Sequence, residues 1–384
     1  MKLNDKQVLV CNCEGTMTID GKALAKACKK EGDKKAGQLD VASHLCRTQI
    51  EEFQRQAGKA DDLMVACTQE APVFLETLEE MRQEARSGKT AKGKKQDVPA
   101  IRFVNIRERA GWSKDATGKG PKKTNLNAKM AALLAEAALE IEDSQSVTMV
   151  SGGALLVLGS DDQAVEAAKK VSSRLDVTVL LEPGTDLPPP AVMDVPVFTG
   201  RVTEATGHLG QFQVAVEQFS PAAASSRASL NFEAKGDTGT SVCDLILDLR
   251  GGTPLFTAPE KRDGYYNPDP KNPALVGDAL LELTDMVGEF QKPRYVDYDE
   301  AICAHARAGI TGCTRCVDNC PTGAITPDGD RVNIDAYVCA GCGTCASVCP
   351  TGAARYVLPA GDTLFNRLRT LIRTYQAAGG KAPV

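Results

Sequence analysis

The segment CAGCGTCASVCP sets Cys339, Cys342, Cys345 and Cys349 at the spacing C-x2-C-x2-C-x3-C-P. Three thiolates within seven residues wrap a backbone around one corner of an iron–sulfur cubane. The fourth points away, and the proline turns the chain toward a second site. The arrangement recurs 29 residues earlier, where Cys313, Cys316 and Cys320 in GCTRCVDNCPTGAI stand against Cys342, Cys345 and Cys349 in GCGTCASVCPTGAA. An internal duplication with pseudo-twofold symmetry is expected. Zinc also takes thiolates, but its structural sites pair two separated CxxC knuckles and need no triple run ending in proline.

The run resembles that of bacterial two-cluster ferredoxins, which implies a module over residues 296–358 holding two 4Fe–4S clusters. The earlier copy departs at one point: Ile310 stands where its first cysteine belongs. Cys303, ten residues before Cys313, is the nearest substitute, so a seven-residue insertion containing His305 and Arg307 must loop out. With the crossed ligation of two-cluster ferredoxins, Cys303, Cys313, Cys316 and Cys349 hold one cluster, and Cys339, Cys342, Cys345 and Cys320 the other. If Cys303 is no ligand, the first cluster has three irons. His305 reads as a solvated loop residue. Arg315, Asp318, Arg331 and Asp335 lie near the ligands, either tuning potential or serving as solvated surface charge.

Four further cysteines lie near the start: Cys11 and Cys13 in VLVCNCEG, Cys46 in SHLCRTQ, and Cys67 in LMVACTQEAP. Cys11, Cys13 and Cys67 end apolar runs that read as strands. In a parallel sheet the carboxyl ends of strands share one edge, where helix N-termini supply positive partial charge. Four thiolates meeting there would hold an anionic cubane; ordinary buried cysteine explains the same residues. Spacing alone leaves both readings open. Cys28, on a helix, and Cys243, in VCDLIL, are assigned to packing.

The elements that must position these residues form an α/β pattern over the first 140 or so residues. Strands are expected at Val8–Val10, Leu63–Ala66 and Ile101–Ile106, and helices near Lys22–Lys29, Val73–Ala85 and Lys129–Glu140. One βαβ unit follows, at Ala154–Leu158, Ala164–Leu175 and Val177–Leu181. Alternation predicts strands within Val195–Phe219 and Ala228–Leu249. RDGYYNPDPKNPA reads as a surface turn region, and Leu364, Phe365, Leu368, Leu371, Ile372 and Tyr375 as one face of a last helix. The fold class is therefore multidomain α/β and α+β. The expected boundaries are 1–145 (N-terminal α/β cysteine-rich domain), 146–190 (Rossmann-like βαβ unit), 191–295 (middle α+β, β-rich region, with no chemistry attached), 296–358 (ferredoxin module) and 359–384 (C-terminal helix). The chain stops at Ala382-Pro383-Val384, where a new strand begins, which reads as part of a longer polypeptide.

The order VCNC, HLC, VACTQE, VNIRERAGWS and then a Lys- and Ala-rich helix resembles the N-terminal domain of the flavin-carrying A subunit of heterodisulfide reductase. It is similar also to bacterial 4Fe–4S proteins often encoded beside molybdenum-dependent formate dehydrogenases, which CAHARAGITGCTRC resembles too. The resemblance covers about the first 140 residues and returns in the ferredoxin module. It implies a third 4Fe–4S cluster bound by Cys11, Cys13, Cys46 and Cys67, and a redox partner such as a formate dehydrogenase. A flavin subunit should next show GxGxxG, whose glycines let the backbone approach a pyrophosphate. LVLGSDDQAVEAA keeps only Gly159 and sets Asp161 and Asp162 against the phosphates, so a Rossmann-like remnant without FAD is expected.

Fourteen cysteines among 384 residues suit metal ligation in a reducing cytoplasm, where structural disulfides are disfavoured. The charge of -5 comes from 45 basic and 50 acidic residues. The basic runs GKTAKGKKQD and DATGKGPKK read as solvated linkers rather than a nucleic-acid surface. No apolar stretch is long enough to cross a membrane. The function expected is electron relay, as a subunit or partner of a redox enzyme; the alternative is iron–sulfur or molybdoenzyme biogenesis. For an enzyme acting at the N-terminal site, the sequence offers no catalytic base or nucleophile.

Overall fold

The structure, a computed structural model, describes residues 1–28, 39–86, 99–117, 126–141, 144–223, 228–233, 237–306 and 312–381. The run GKTAKGKKQD, most of DATGKGPKK, and both Arg307 and Ile310 lie outside them. The chain divides into two units, residues 1–142 with 361–384, and residues 143–360.

The first unit is a three-layer α/β domain. A short antiparallel strand β1 (Lys2–Leu3) pairs with β2 (Lys6–Cys11), and β2 pairs in parallel with both β3 (Val41–Ala42) and β4 (Asp62–Ala66). β4 in turn pairs in parallel with β5 (Ala100–Phe103). Central strands of a parallel sheet are covered on both faces and so read as continuous apolar runs, as in QVLVC and DLMVA. On one face Leu9, Leu63 and Val65 pack against Phe53 of α2 (Ile50–Ala57) and Phe74 and Leu78 of α3 (Ala71–Arg86). On the other, Val8, Val10 and Met64 meet Leu24 of α1 (Gly21–Ala27) and Met130 and Leu134 of the helix Leu126–Ala137.

The expected third strand ends early. Val104 donates one more bond to the Val65 carbonyl (2.8 Å), and the chain then coils into a π-helical turn, Arg107–Gly111. A four-residue helix α4 (Lys114–Thr117) follows, and Leu126–Ala137 is α5. The last helix, Gly361–Ala377, belongs to this unit and packs on α5, with Arg367 paired to Glu136. Its half-covered residues are Thr363, Arg367, Thr370, Leu371, Thr374 and Tyr375, whereas Leu364, Phe365, Leu368 and Ile372 stay exposed. The half-covered side thus shares only Leu371 and Tyr375 with the apolar face read from the sequence.

The second unit is built on a seven-stranded sheet in the order β11-β10-β9-β8-β7-β12-β13. A strand β6 (Ser146–Ser151) precedes it. The parallel strands are β7 (Ala154–Gly159), β8 (Asp176–Leu181), β9 (Val197–Thr206), β12 (Leu245–Asp248) and β13 (Tyr265–Tyr266), with α6 (Asp162–Val171) between β7 and β8. β10 (Phe212–Pro221) and β11 (Asp237–Cys243) close one edge as antiparallel strands. The βαβ unit and the middle region thus share one sheet and one core, in which α7 (Pro273–Asp285) joins α6 on the same face.

The segment RDGYYNPDPKNPA is more than a surface turn. Tyr265 is buried in β13 and donates to the Asp248 carboxylate (3.0 Å), while Asn272 caps α7. A two-residue strand is too short to show alternation, which is why it was illegible.

β14 (Gly288–Pro293) pairs with β6 and leads into the cysteine-rich module. There the first strand, β15 (Val296–Tyr298), pairs with the last, β18 (Ala354–Tyr356), and β16 (Ile325–Asp328) pairs with β17 (Arg331–Ile334). Short helices α8 (Arg315–Asp318) and α9 (Thr344–Val348) carry Cys316 and Cys345, and the last helix of the chain, α10, follows at Gly361. No helix among the described residues is long and apolar enough to cross a membrane.

Cys28 and Cys243 are buried, and burial pushes both thiols up to about 12. At pH 8 roughly one molecule in 10⁴ would carry either thiolate, the reactive form. Native alkylation at that pH is expected to leave both unlabelled, whereas denatured protein labels them fully, as read by peptide mass mapping.

Candidate metal centres

In the module, the two sequence copies fold alike. Asp299 donates its N–H to the Ala353 carbonyl (2.9 Å), and Asp335 donates to the Ala324 carbonyl (2.8 Å). Each aspartate then caps the following turn: Asp299 accepts from Ala301, and Asp335 from Tyr337 and Val338. Four residues after each comes a cysteine, Cys303 in one copy and Cys339 in the other. The equivalence extends to Cys320 beside Thr322 (3.6 Å) and Cys349 beside Thr351 (3.7 Å).

Mutual electrostatics show which thiols are neighbours. Burial pushes Cys345 up to about 11, the Ala346 N–H opposing and the charges of Cys339, Cys342 and Cys320 adding to it. Burial also raises Cys316, opposed by the Val317 N–H and reinforced by Cys303 and Cys313. The neighbours of Cys345 therefore include Cys320, from the other copy. Partial burial acts against Cys349, yet N–H groups of Ala354, Thr351 and Ala353 and the Thr351 hydroxyl together bring it below the usual thiol value. Gly341, at φ +74°, lets the loop between Cys339 and Cys342 pass the Tyr295 ring, where a Cβ would lie 2.6 Å away.

Other predicted residues fall differently. His305 is buried, not solvated: Nδ1 donates to the Cys313 carbonyl (2.9 Å), tying the start of the insertion to the ligand loop. Asp318 accepts from the Thr314 hydroxyl (2.6 Å), and Arg331 pairs with Glu300 and Asp328 at the surface. The cations that do reach the module come from the middle region, which spacing gave no reason to suspect. Arg262 donates to the Gly207 carbonyl (2.6 Å) and the Thr322 carbonyl (3.2 Å), and its charge lies over the Phe256 ring. Lys292 donates to the Tyr337 carbonyl (2.8 Å) and its charge acts on Cys339. His208 stacks on Tyr337.

In the first unit, Cys11, Cys13, Cys46 and Cys67 all line one cavity of about 170 Å³ at the carboxyl ends of β2, β3 and β4. Residues i and i+2 of an extended chain share a side, and a left-handed turn at Cys13 and Glu14 (both φ 54°) then bends the chain back. Asn12 donates to the Ala42 carbonyl and Glu14 to the Ser43 carbonyl, holding that loop beside the Ser43–Cys46 segment. The Gln49 amide oxygen accepts from Ser43 (2.9 Å) and His44 (2.8 Å), and Arg47 pairs with Glu70 (3.4 Å) beside Cys67. Burial raises Cys67, opposed first by the Glu70 N–H, with Cys11 raising it and Arg107 lowering it. Burial likewise raises Cys46, with Glu70 and Cys67 adding to it. Among the described residues no three His, Cys, Asp or Glu side chains gather tightly enough to hold a single metal ion.

A family model described as a 4Fe-4S dicluster domain matches residues 311–353. The matched stretch contains Cys313, Cys316, Cys320, Cys339, Cys342, Cys345 and Cys349 and begins after Cys303. Comparison with curated proteins found no match. The chain is thus a mixed α/β, multidomain protein with a C-terminal ferredoxin-type 4Fe–4S module, a class whose role is electron transfer.

Proposed function

We propose that this chain is an iron–sulfur electron relay with three 4Fe–4S clusters, working as a cytoplasmic subunit or partner of a redox enzyme such as a formate dehydrogenase. Cys303, Cys313, Cys316 and Cys349 hold one cluster, and Cys339, Cys342, Cys345 and Cys320 the second. Cys11, Cys13, Cys46 and Cys67 hold the third. The observation that carries the reading is the convergence of four cysteines from three loops on one cavity, in a chain that also contains a dicluster module. Support for Cys303 comes from its equivalence to Cys339, four residues beyond a capping aspartate. Support for crossing comes from the nearness of Cys320 to Cys345. A single tetrahedral zinc, with Zn–S near ~2.3 Å, is the other group that four thiolates suit.

When bound, a thiolate-held cubane supplies one-electron exchange without change of ligands. The chain's own part is to aim N–H groups at the sulfurs and to hold charge nearby. The switch-point turn after β7 suits no pyrophosphate: Asp161 already accepts from Gln163 at the start of α6 (3.1 Å), and Asp162 adds a second carboxylate. We therefore assign no FAD.

Anaerobic purification with iron and sulfide analysis and EPR tests the reading. About 12 Fe per chain is expected; about 8 would remove the N-terminal cluster, about 11 with a three-iron signal would remove Cys303 from the ligand set, and about 7 with that signal would remove both. Zinc at full occupancy would overturn the proposal.

A further inference from the structure

We infer that the Arg107 guanidinium is the fixed positive charge that sets the reduction potential of the centre held by Cys11, Cys13, Cys46 and Cys67, an inference that rests on the third-cluster reading above. Arg107 lines the same cavity as the four thiols, with Nη1 4.0 Å from Cys13 Sγ. Its charge is also felt at Cys67, on the far loop. Two contacts hold it there. The guanidinium lies 4.2 Å from the centre of the Trp112 ring, and Trp112 Nε1 donates to the Thr16 hydroxyl (3.2 Å), three residues beyond Cys13. Glu108, which lines the same cavity, pairs with it.

The backbone explains the aim. The π-helical turn Arg107–Gly111 follows the carboxyl end of β5 after Val104, Asn105 and Ile106, and Gly111 packs so closely on Met17 that any added Cβ would collide with its sulfur. The side chain thus starts from the strand edge where the thiols gather.

Burial sets Arg107 apart from Arg47, the other arginine at the cavity, while the Glu70 carboxylate, 25% exposed, is held by Arg47. The Arg107 side chain is 17% exposed, against 55% for Arg47; Glu14 is 67% exposed and pairs with His44. Exposed charges are screened by water and salt, whereas a shielded one acts at lower effective dielectric. Four thiolates make the centre anionic, and each added electron makes it more so. A shielded cation 4.0 Å from one of those sulfurs favours the electron-rich state.

The test is a mediated redox titration of the anaerobic full chain, followed by EPR, with the N-terminal signal defined as the one Cys67→Ser abolishes. Arg107→Gln is expected to weaken reduction about tenfold, close to 59 mV downward for one electron. Arg107→Lys, which keeps the charge, should move it less than threefold. Glu108→Gln removes the opposing charge and should shift the potential upward. A purely structural Arg107 predicts no such opposite signs. If Arg107→Gln fails to keep its iron, Glu108→Gln decides: an upward shift supports the inference, and no shift or a downward one overturns it. A wild-type iron content near 8 with no signal lost in Cys67→Ser would sink the third cluster itself; about 12 Fe with unmoved potentials would sink only the role of Arg107.

Discussion

Stripping iron from the C-terminal module, by chelation after oxidation, is expected to abolish amide protection across residues 296–306 and 312–356 and to leave the strands β7, β8 and β12 protected. The buried apolar cluster of this module consists of Val296, Ile325, Val332, Cys345 and Ala354, and one of these five is itself a proposed ligand. Sixty residues with so small a core cannot offset the entropy of ordering a backbone, at about 1–2 kcal/mol per residue. Metal–thiolate bonds must supply the difference, so metal binding and folding become one process. The sheet of the same unit is independent of it, held by a large core that runs from Met149 to Leu283. Hydrogen exchange read by mass spectrometry separates the two. Retained protection in the apo module would show that side-chain packing and the seat formed by Arg262, Lys292 and His208 suffice.

The second large effect is expected at Asp248. Its carboxylate, 1% exposed, takes a two-point bond from Arg250 (Nε to Oδ1 2.8 Å, Nη2 to Oδ2 2.7 Å) and a third from the Tyr265 hydroxyl (3.0 Å). Beside that carboxylate the buried Tyr265 hydroxyl is pushed above its usual value, desolvation being the larger cause. Asp248→Ala leaves Arg250, 16% exposed, without its main partner, and removing one side of a buried pair costs about 3–5 kcal/mol. Tyr265→Phe removes one hydrogen bond to a charged group, about 1.5–3 kcal/mol. Anaerobic urea unfolding followed by the far-ultraviolet signal of this unit measures both. A loss under 1 kcal/mol for Asp248→Ala would mean that the network does not brace the sheet.

How much of this was legible follows the length scale of each signal. Cysteine spacing is local and chemically specific, so the duplicated module could be read directly. The parallel sheet of the first unit showed in QVLVC and DLMVA because strands covered on both faces are apolar throughout. The seat of the module was not legible: Arg262 and Lys292 reach it from 60 and 45 residues away in sequence, and long cationic side chains carry no periodicity. Arg107 was equally silent, because only the π-helical turn tells where it points. His305 was misjudged for a related reason. A histidine in an insertion reads as solvated until a specific carbonyl, here that of Cys313, is found to receive it.

The helix Gly361–Ala377 completes the first unit by packing on α5, although residues 143–360 intervene as the whole of the second. During synthesis at roughly 5–20 residues per second, the ribosome must therefore work for some tens of seconds after α5 emerges before that helix exists. Through that interval Met1–Glu142 waits as an open-sided domain, while the second unit can finish folding first.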